Sequence, residues 1–210
     1  IVFLLGDYTS MSADSLEEPL ATALRPLRAR YGVWAVLGNH EYVRQRHDPV
    51  ARALRSAGVH LLENQAQQVD VRDEKIWICG VRDPYLNKDD LAKTLAAVPR
   101  GAFKLLLAHS PDIIYRAARA GVNAVFAGHT HGGQVRLPLL GPLAIPGKYG
   151  RRFAQGVFEV DGTALFVTRG IGTTPPLVRL GCPPEVALVT LEAGAVVPSA
   201  AADPDSAGTL

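Results

Sequence analysis

The chain has 210 residues, 48% of them hydrophobic and 20% charged, with a formal net charge of +2. These are the proportions of an ordinary soluble globular protein, enough for one well-buried core or at most two small ones. No basic block or aromatic-interleaved patch speaks for a nucleic-acid partner, and Arg25, Arg28 and Arg30 read as a solvated helix face.

Apolar runs of strand length alternate with helical patterns through the first 130 residues. Ile1–Leu5 leads into Gly6-Asp7. Asp14 or Ser15 is then placed to cap a helix running toward Arg30, shortened or kinked by Pro26. Val33–Leu37 is a buried strand that exits at Gly38-Asn39-His40-Glu41, and a short helix over 49–57 stops at Gly58. Val59–Leu62, Gln68–Val71 and Ile76–Val81 read as strands, followed by a helix near 88–98. Phe103–Ala108 leaves at His109, where Ser110 as N-cap and Pro111 as first helical residue open a helix ending at Gly121. Asn123–Ala127 delivers Gly128-His129-Thr130-His131.

After residue 133 the pattern becomes mostly strand: Gln134–Leu137, Gly156–Val160, Ala164–Thr168 and Val186–Leu191, with Asp161-Gly162 as a hairpin signal. Residues 138–150, rich in Pro and Gly, form a long loop of the kind that serves as lid or binding wall. Residues 1–192 are read as one domain and 193–210 as a disordered tail. Cys79 and Cys182 show no metal spacing; Cys79 reads as a buried thiol, and a pairing of the two stays open. No stretch reaches the roughly 18 apolar residues of a membrane span. The only methionine is Met11 and residue 1 falls inside an apolar run, so an upstream segment is expected, with any signal or anchor it carries.

Four strand exits carry ligand-type side chains: Asp7, Asn39 with His40, His109, and His129 with His131. Each alone is as well explained by a turn, but their joint occurrence at the same end of successive strands is not. The residue types suit two divalent cations roughly 3.5–4 Å apart, which need a bridging carboxylate and imidazoles to complete mixed N/O shells. Asp7 is a plausible bridge, and Asn39 offers a neutral carbonyl oxygen. His40 sits where it could protonate or stabilise a leaving alkoxide. His47 and His60 lie outside the exits and read as structural or surface residues. Arg136 and Arg169 are even between phosphate clamps and solvent-facing strand arginines. Trp34 and Trp77 read as core, and Tyr8 and Tyr149 as entrance-lining or packing.

Gly6-Asp7, Gly38-Asn39-His40-Glu41, His109 and Gly128-His129-Thr130-His131 resemble, in order, the motifs of the calcineurin-like metallophosphoesterase superfamily. The stretch from His129 through Pro138, with Arg169-Gly-Ile-Gly and Gly181-Cys-Pro-Pro-Glu-Val, looks like its bacterial phosphodiesterase-like branch. The resemblance implies an α/β fold, a four-layer sandwich of two mixed β-sheets flanked by helices. It implies a binuclear enzyme hydrolysing a phosphodiester or pyrophosphate bond by metal-bound hydroxide, with two divalent ions (manganese, iron or zinc). It makes Asp7 the bridging ligand, places Asn39, His109 and His129 on one metal and His131 on the other, and makes His40 the acid or transition-state stabiliser.

Members of that branch include exported or membrane-anchored proteins, and some relatives hydrolyse the pyrophosphate of UDP-diacylglucosamine. The implied substrate is thus a phosphate ester, nucleotide-linked or a membrane lipid, met at a membrane surface. The family's opening Asp-x-His occurs nowhere in these residues and is expected upstream. The piece in hand is accordingly expected to bind the second cation poorly and to be a weak catalyst. A non-catalytic interaction module on the same fold is the alternative.

Overall fold

A computed structural model describes residues 1–8, 16–43 and 46–192. The proposed cap at Asp14 or Ser15 and the proposed tail 193–210 lie outside the described residues.

Strand side chains alternate between two faces, and here both faces are buried, which builds layers. The smaller sheet is β1 (Val2–Leu4), β2 (Val33–Ala35) and β3 (His60–Leu61), all parallel in that order. Val33, Ala35 and Leu37 turn to one side and pack with Val50, Ala51 and Leu54. Those three belong to helix α3 (His47–Ser56), which lies against helix α1 (Glu17–Leu24). Trp34 and Val36 turn to the other side and meet Ile78, Leu105, Leu107 and Phe126 of a second sheet. That larger sheet has six strands in the order β10–β11–β7–β6–β5–β4. They are β4 (Gln65–Val71), β5 (Glu74–Gly80), β6 (Phe103–Leu107), β7 (Ala124–Ala127), β10 (Gly156–Val160) and β11 (Thr163–Val167). β5, β6, β7 and β11 run parallel, and the edge strands β4 and β10 are antiparallel to their neighbours. Its far face, through Cys79, Leu106, Val125 and Leu165, packs on Ile114 and Ala117 of helix α5 (Ile114–Arg119). Three apolar interfaces therefore separate four layers: helices, small sheet, large sheet, helices. Each fully buried Leu contributes roughly 1.5–3 kcal/mol, so these interfaces carry the fold.

Local signals set the element ends. Helix α1 stops at Leu24 with Arg25 as C-cap, directly before Pro26. Ser110 accepts from the Asp112 N–H, and Pro111 begins a 3-10 turn that runs into α5. Asp90 caps the short helix α4 (Leu91–Leu95). Residues 136–142, expected to be strand and then loop, form a small ribbon of β8 (Arg136–Leu137) and β9 (Gly141–Pro142). Val186–Leu191 forms no strand: it finds no ladder partner among the described residues, and Val186 and Leu188 stand 88% and 97% exposed. Cys79 and Cys182 are both buried and free.

Candidate metal centre

In a parallel sheet every strand delivers the chain to the same edge, and both sheets deliver theirs to one place. β1 exits at Asp7, β2 exits through Gly38 into helix α2 (Asn39–Val43), β6 exits at His109, and β7 exits at Gly128-His129-Thr130-His131. Asp7, His129, His131 and Gln134 all hold positive φ, at 60°, 69°, 52° and 48°. Such backbone costs a non-glycine residue of order 1–3 kcal/mol and tends to cluster where function demands it.

The side chains converge on one atom, His109 Nε2. The Asn39 Oδ1 lies 3.0 Å from it, the Asp7 Oδ2 3.2 Å and the His129 Nδ1 3.0 Å. The other ring nitrogen, Nδ1, is 2.6 Å from the Leu5 carbonyl oxygen, to which it donates. In the neutral tautomer so fixed, Nε2 presents a lone pair to the Asp7 and Asn39 oxygens, while His129 Nδ1 donates or accepts according to its own tautomer. A carboxylate, a carbonyl oxygen and two imidazoles gathered this closely suit a cation. Asp7, His109 and His129 offer ligand atoms within 4.8 Å of one another, a group able to hold a metal ion.

The electrostatics say the same. Burial raises the Asp7 carboxyl, but the facing His109 and the His40 N–H outweigh it and hold Asp7 well below the usual carboxylate range. Burial also disfavours charge on His109, yet the charge and hydrogen bond of Asp7, with Asp83 beyond, push it up to about 9. His129, buried beside that charge, is pushed down to about 3. The cluster thus keeps one positive charge in its middle, where a proton stands in for a cation.

His40 is half-buried at the start of α2, and its backbone N–H donates to Asp7 Oδ1 at 3.1 Å. His131 is half-buried and lies outside the three-residue group. Its ring is pushed down by burial, and its backbone carbonyl accepts from Arg179 at 3.2 Å.

Four features support the site; Asp83 and Tyr85 escaped the sequence reading, and Gly38 and Glu41 entered it only as members of the Gly38-Asn39-His40-Glu41 motif. Glu41, fully buried, accepts from the backbone N–H groups of Asp7 (3.0 Å), Tyr8 (2.9 Å) and Gly38 (2.8 Å), tying the β1 exit to the β2 exit. Gly38 is obligatory: an added Cβ would overlap the Asp7 carboxylate and lie 2.7 Å from His109 Cε1. Asp83, buried just past β5, accepts from the N–H groups of Tyr85 and Leu86 at 3.2 Å each, and burial raises its carboxyl to about 6. The Tyr85 ring lies 4.6 Å from that of His129. Asp83 was findable in principle, since Val81-Arg82-Asp83-Pro84 is one more strand exit at the same edge.

Other candidates resolve into packing. Tyr8 donates its hydroxyl to Leu4 or Val36 carbonyls, and Tyr149 stacks against Tyr115 and Phe153. Arg169 is paired with Glu185 at 2.8 Å, while Arg136 donates to the Gly132 carbonyl. His60 stacks on Trp34, and His47 sits between Asp48 and Glu63.

The geometry has counterparts in known proteins. An uncharacterized metallophosphoesterase of Aquifex aeolicus (strain VF5) is 31% identical over 206 residues, covering 91% of this chain and 72% of that protein. The chain belongs to the calcineurin-like metallophosphoesterase superfamily. The uncharacterized metallophosphoesterase YkuE of Bacillus subtilis (strain 168) is 32% identical over 170 residues, which are 80% of this chain and 59% of YkuE. The phosphodiesterase YaeI of Escherichia coli (strain K12) is 28% identical over 193 residues, 91% of this chain and 70% of YaeI. The chain therefore spans about three fifths of YkuE and somewhat more of the other two. No protein-family model and no solved structure matches it. A metallophosphoesterase domain implies divalent metal, and Asp7, His109 and His129 form a donor group suited to it.

Proposed function

We propose that residues 1–192 form the catalytic domain of a binuclear phosphoesterase that hydrolyses a phosphodiester or pyrophosphate bond. The observation that carries this reading is the convergence of Asn39, Asp7 and His129 on His109 Nε2, three ligand-type atoms around one nitrogen at 3.0–3.2 Å. In it Asp7, Asn39, His109 and His129 would hold one ion, and Asp7 with His131 the second; manganese, iron or zinc would all suit such mixed shells. When bound, the ions supply Lewis acidity and a water of lowered pKa.

The chain's own residues do the rest. Leu5 fixes the His109 tautomer through its carbonyl, so that Nε2 faces the centre. Glu41 holds the Asp7 and Gly38 backbones in register, and the neutral Asn39 limits the negative charge that an incoming phosphate must meet. To His40, whose backbone N–H donates to Asp7, this reading assigns the proton given to the leaving oxygen. The substrate is a phosphate ester, nucleotide-linked or lipid, reached at a membrane surface.

The test uses full-length recombinant protein and a chromogenic phosphodiester with manganese. Asn39→Ala and His129→Ala should each lower kcat/KM by about 100-fold or more, the scale of losing a transition-state contact. Unchanged turnover in both variants would refute the site assignment, and no turnover by the wild-type protein would leave a non-catalytic module.

A further inference from the structure

Immediately beyond the histidine pair, the chain builds a surface unlike the rest of the molecule. From Gly133 to Phe158 it holds four cations (Arg136, Lys148, Arg151 and Arg152) and no Asp or Glu, in a chain whose overall charge is only +2. At the tip of the β8–β9 ribbon Leu139 is 101% exposed and Leu140 63%, and Leu143 follows at 55%. A second apolar stretch, Leu177, Val178 and Leu180, is 50–75% exposed. It is fastened to the base of the same ribbon by the Leu180 N–H on Gln134 and the Arg136 N–H on Leu180. Isolated surface leucines need no explanation, but clustered ones ringed by cations do.

The cations are held where the leucines are. The Arg151 Nη1 donates to the Leu140 carbonyl at 3.1 Å, while Arg152, Arg151 and Lys148 all face solvent. The surface lies near the candidate metal centre. Gly147 and Lys148 line, with Asp112 and Tyr85, a cavity of about 510 Å³, and the Tyr85 ring packs on His129.

We propose that the β8–β9 ribbon and the segment beside it form an interfacial docking face. It inserts Leu139, Leu140 and Leu143 among the lipids of an anionic bilayer while the surrounding arginines meet the headgroups. Apolar side chains that enter the headgroup boundary, with basic side chains around them, are the two signals that together give stable peripheral attachment. Apart from Asp112, which accepts from the Lys148 backbone N–H, the stretch brings cations and no acid of its own to the leucines, a balance that matches an anionic surface. The face deepens the phosphoesterase reading: a site opening beside a seated ribbon receives a phosphoester carried by a lipid. The docking itself does not depend on that reading.

Vesicle co-sedimentation tests it without any activity measurement. The full chain should sediment with phosphatidylcholine vesicles carrying roughly 30% phosphatidylglycerol, less with pure phosphatidylcholine, and less as salt rises. Leu139→Asp with Leu140→Asp should lower the partition coefficient by at least about tenfold. Arg151→Glu, a change to one exposed side chain, should lower it by about fivefold or more. Circular dichroism confirms that both variants fold. No sedimentation with the anionic vesicles, or sedimentation indifferent to both variants, overturns the proposal. A concentration-dependent dimer abolished by the leucine change would assign the face to a second copy and overturn it equally. Because binding and hydrolysis are read separately, loss of the phosphoesterase reading leaves the vesicle result standing, and the reverse.

Discussion

At the scale of single residues, the candidate ligands were legible because each follows an apolar strand with a polar side chain at its end. Asp7, Asn39, His109 and His129 all come together as that pattern implied. The residues that hold them in place were not legible. Glu41 ends the Gly38-Asn39-His40-Glu41 motif, but nothing in the sequence assigns it a role; only the fold shows it fully buried beneath three backbone N–H groups. Its role makes a sharp prediction. Glu41→Ala orphans the N–H groups of Asp7, Tyr8 and Gly38, and each buried unsatisfied donor costs about 1–3 kcal/mol. Urea unfolding should therefore show a loss of about 3 kcal/mol or more, and manganese titration should show weakened binding although Glu41 touches no metal. A loss below about 1 kcal/mol with unaltered affinity would mean that the β1 and β2 exits hold themselves in place.

Elements were legible wherever their own side chains decide them. β2 and β7 are continuous apolar runs, β6 is one but for Lys104, and all three emerged within a residue or two of expectation. β4 begins at Gln65 rather than Gln68, because its first residues are polar and only pairing with β5 makes them strand. Val186–Leu191 shows the converse: suitable residues, and no partner strand among those described. His47 was read as a surface or structural residue, and its neighbours reveal a tie between elements. At the start of α3 it lies 2.5 Å from Glu63, which follows β3 and also meets Arg55 and Arg82. Burial alone would lower the His47 pKa, but its bonds to Glu63 and Asp48 raise it above 6.5. The native state therefore holds that proton more tightly than the unfolded chain. The stabilisation is complete below 6.5 and fades as pH climbs through the native value. Glu63, lowered from 4.5, contributes in the opposite sense: its share is complete above 4.5 and is lost only as pH falls through its depressed native value. Wild type should thus exceed His47→Gln in stability by on the order of 0.5–1 kcal/mol near pH 5.5, with the gap closing toward about pH 9. Urea midpoints at the two pH values check this, and a gap that widens with pH would be incompatible with the tie.

For the molecule as a whole, four layers were expected from the family resemblance, and continuous apolar strands agree with it, since both faces of their sheets are buried. Strand order did not follow from sequence: β11 lies beside β7 because of apolar contacts distant along the chain. That arrangement puts the candidate metal centre in a particular mechanical position. Asp7 and Asn39 come from the small sheet, His109 and His129 from the large one. Between the sheets the core is apolar, with Phe3 and Phe126 5.0 Å apart. Apolar packing resists separation but is tolerant of sliding, whereas a coordinated ion fixes direction and distance at the sheet edge. Bound metal should therefore act as a clip between layers. At manganese 100-fold above its Kd the folded state gains about 2.7 kcal/mol. For a domain of this size that corresponds to a rise in Tm of about 5–10 °C. Chelation should reverse the rise, and Asp7→Ala or His129→Ala should abolish it. Hydrogen exchange tells a clip from a ligand held by one sheet: with manganese, amides at Gly38 and at Gly128 should both slow. Protection confined to the β6 and β7 exits would show that the ion rests on the large sheet alone, with Asp7 and Asn39 not among its ligands.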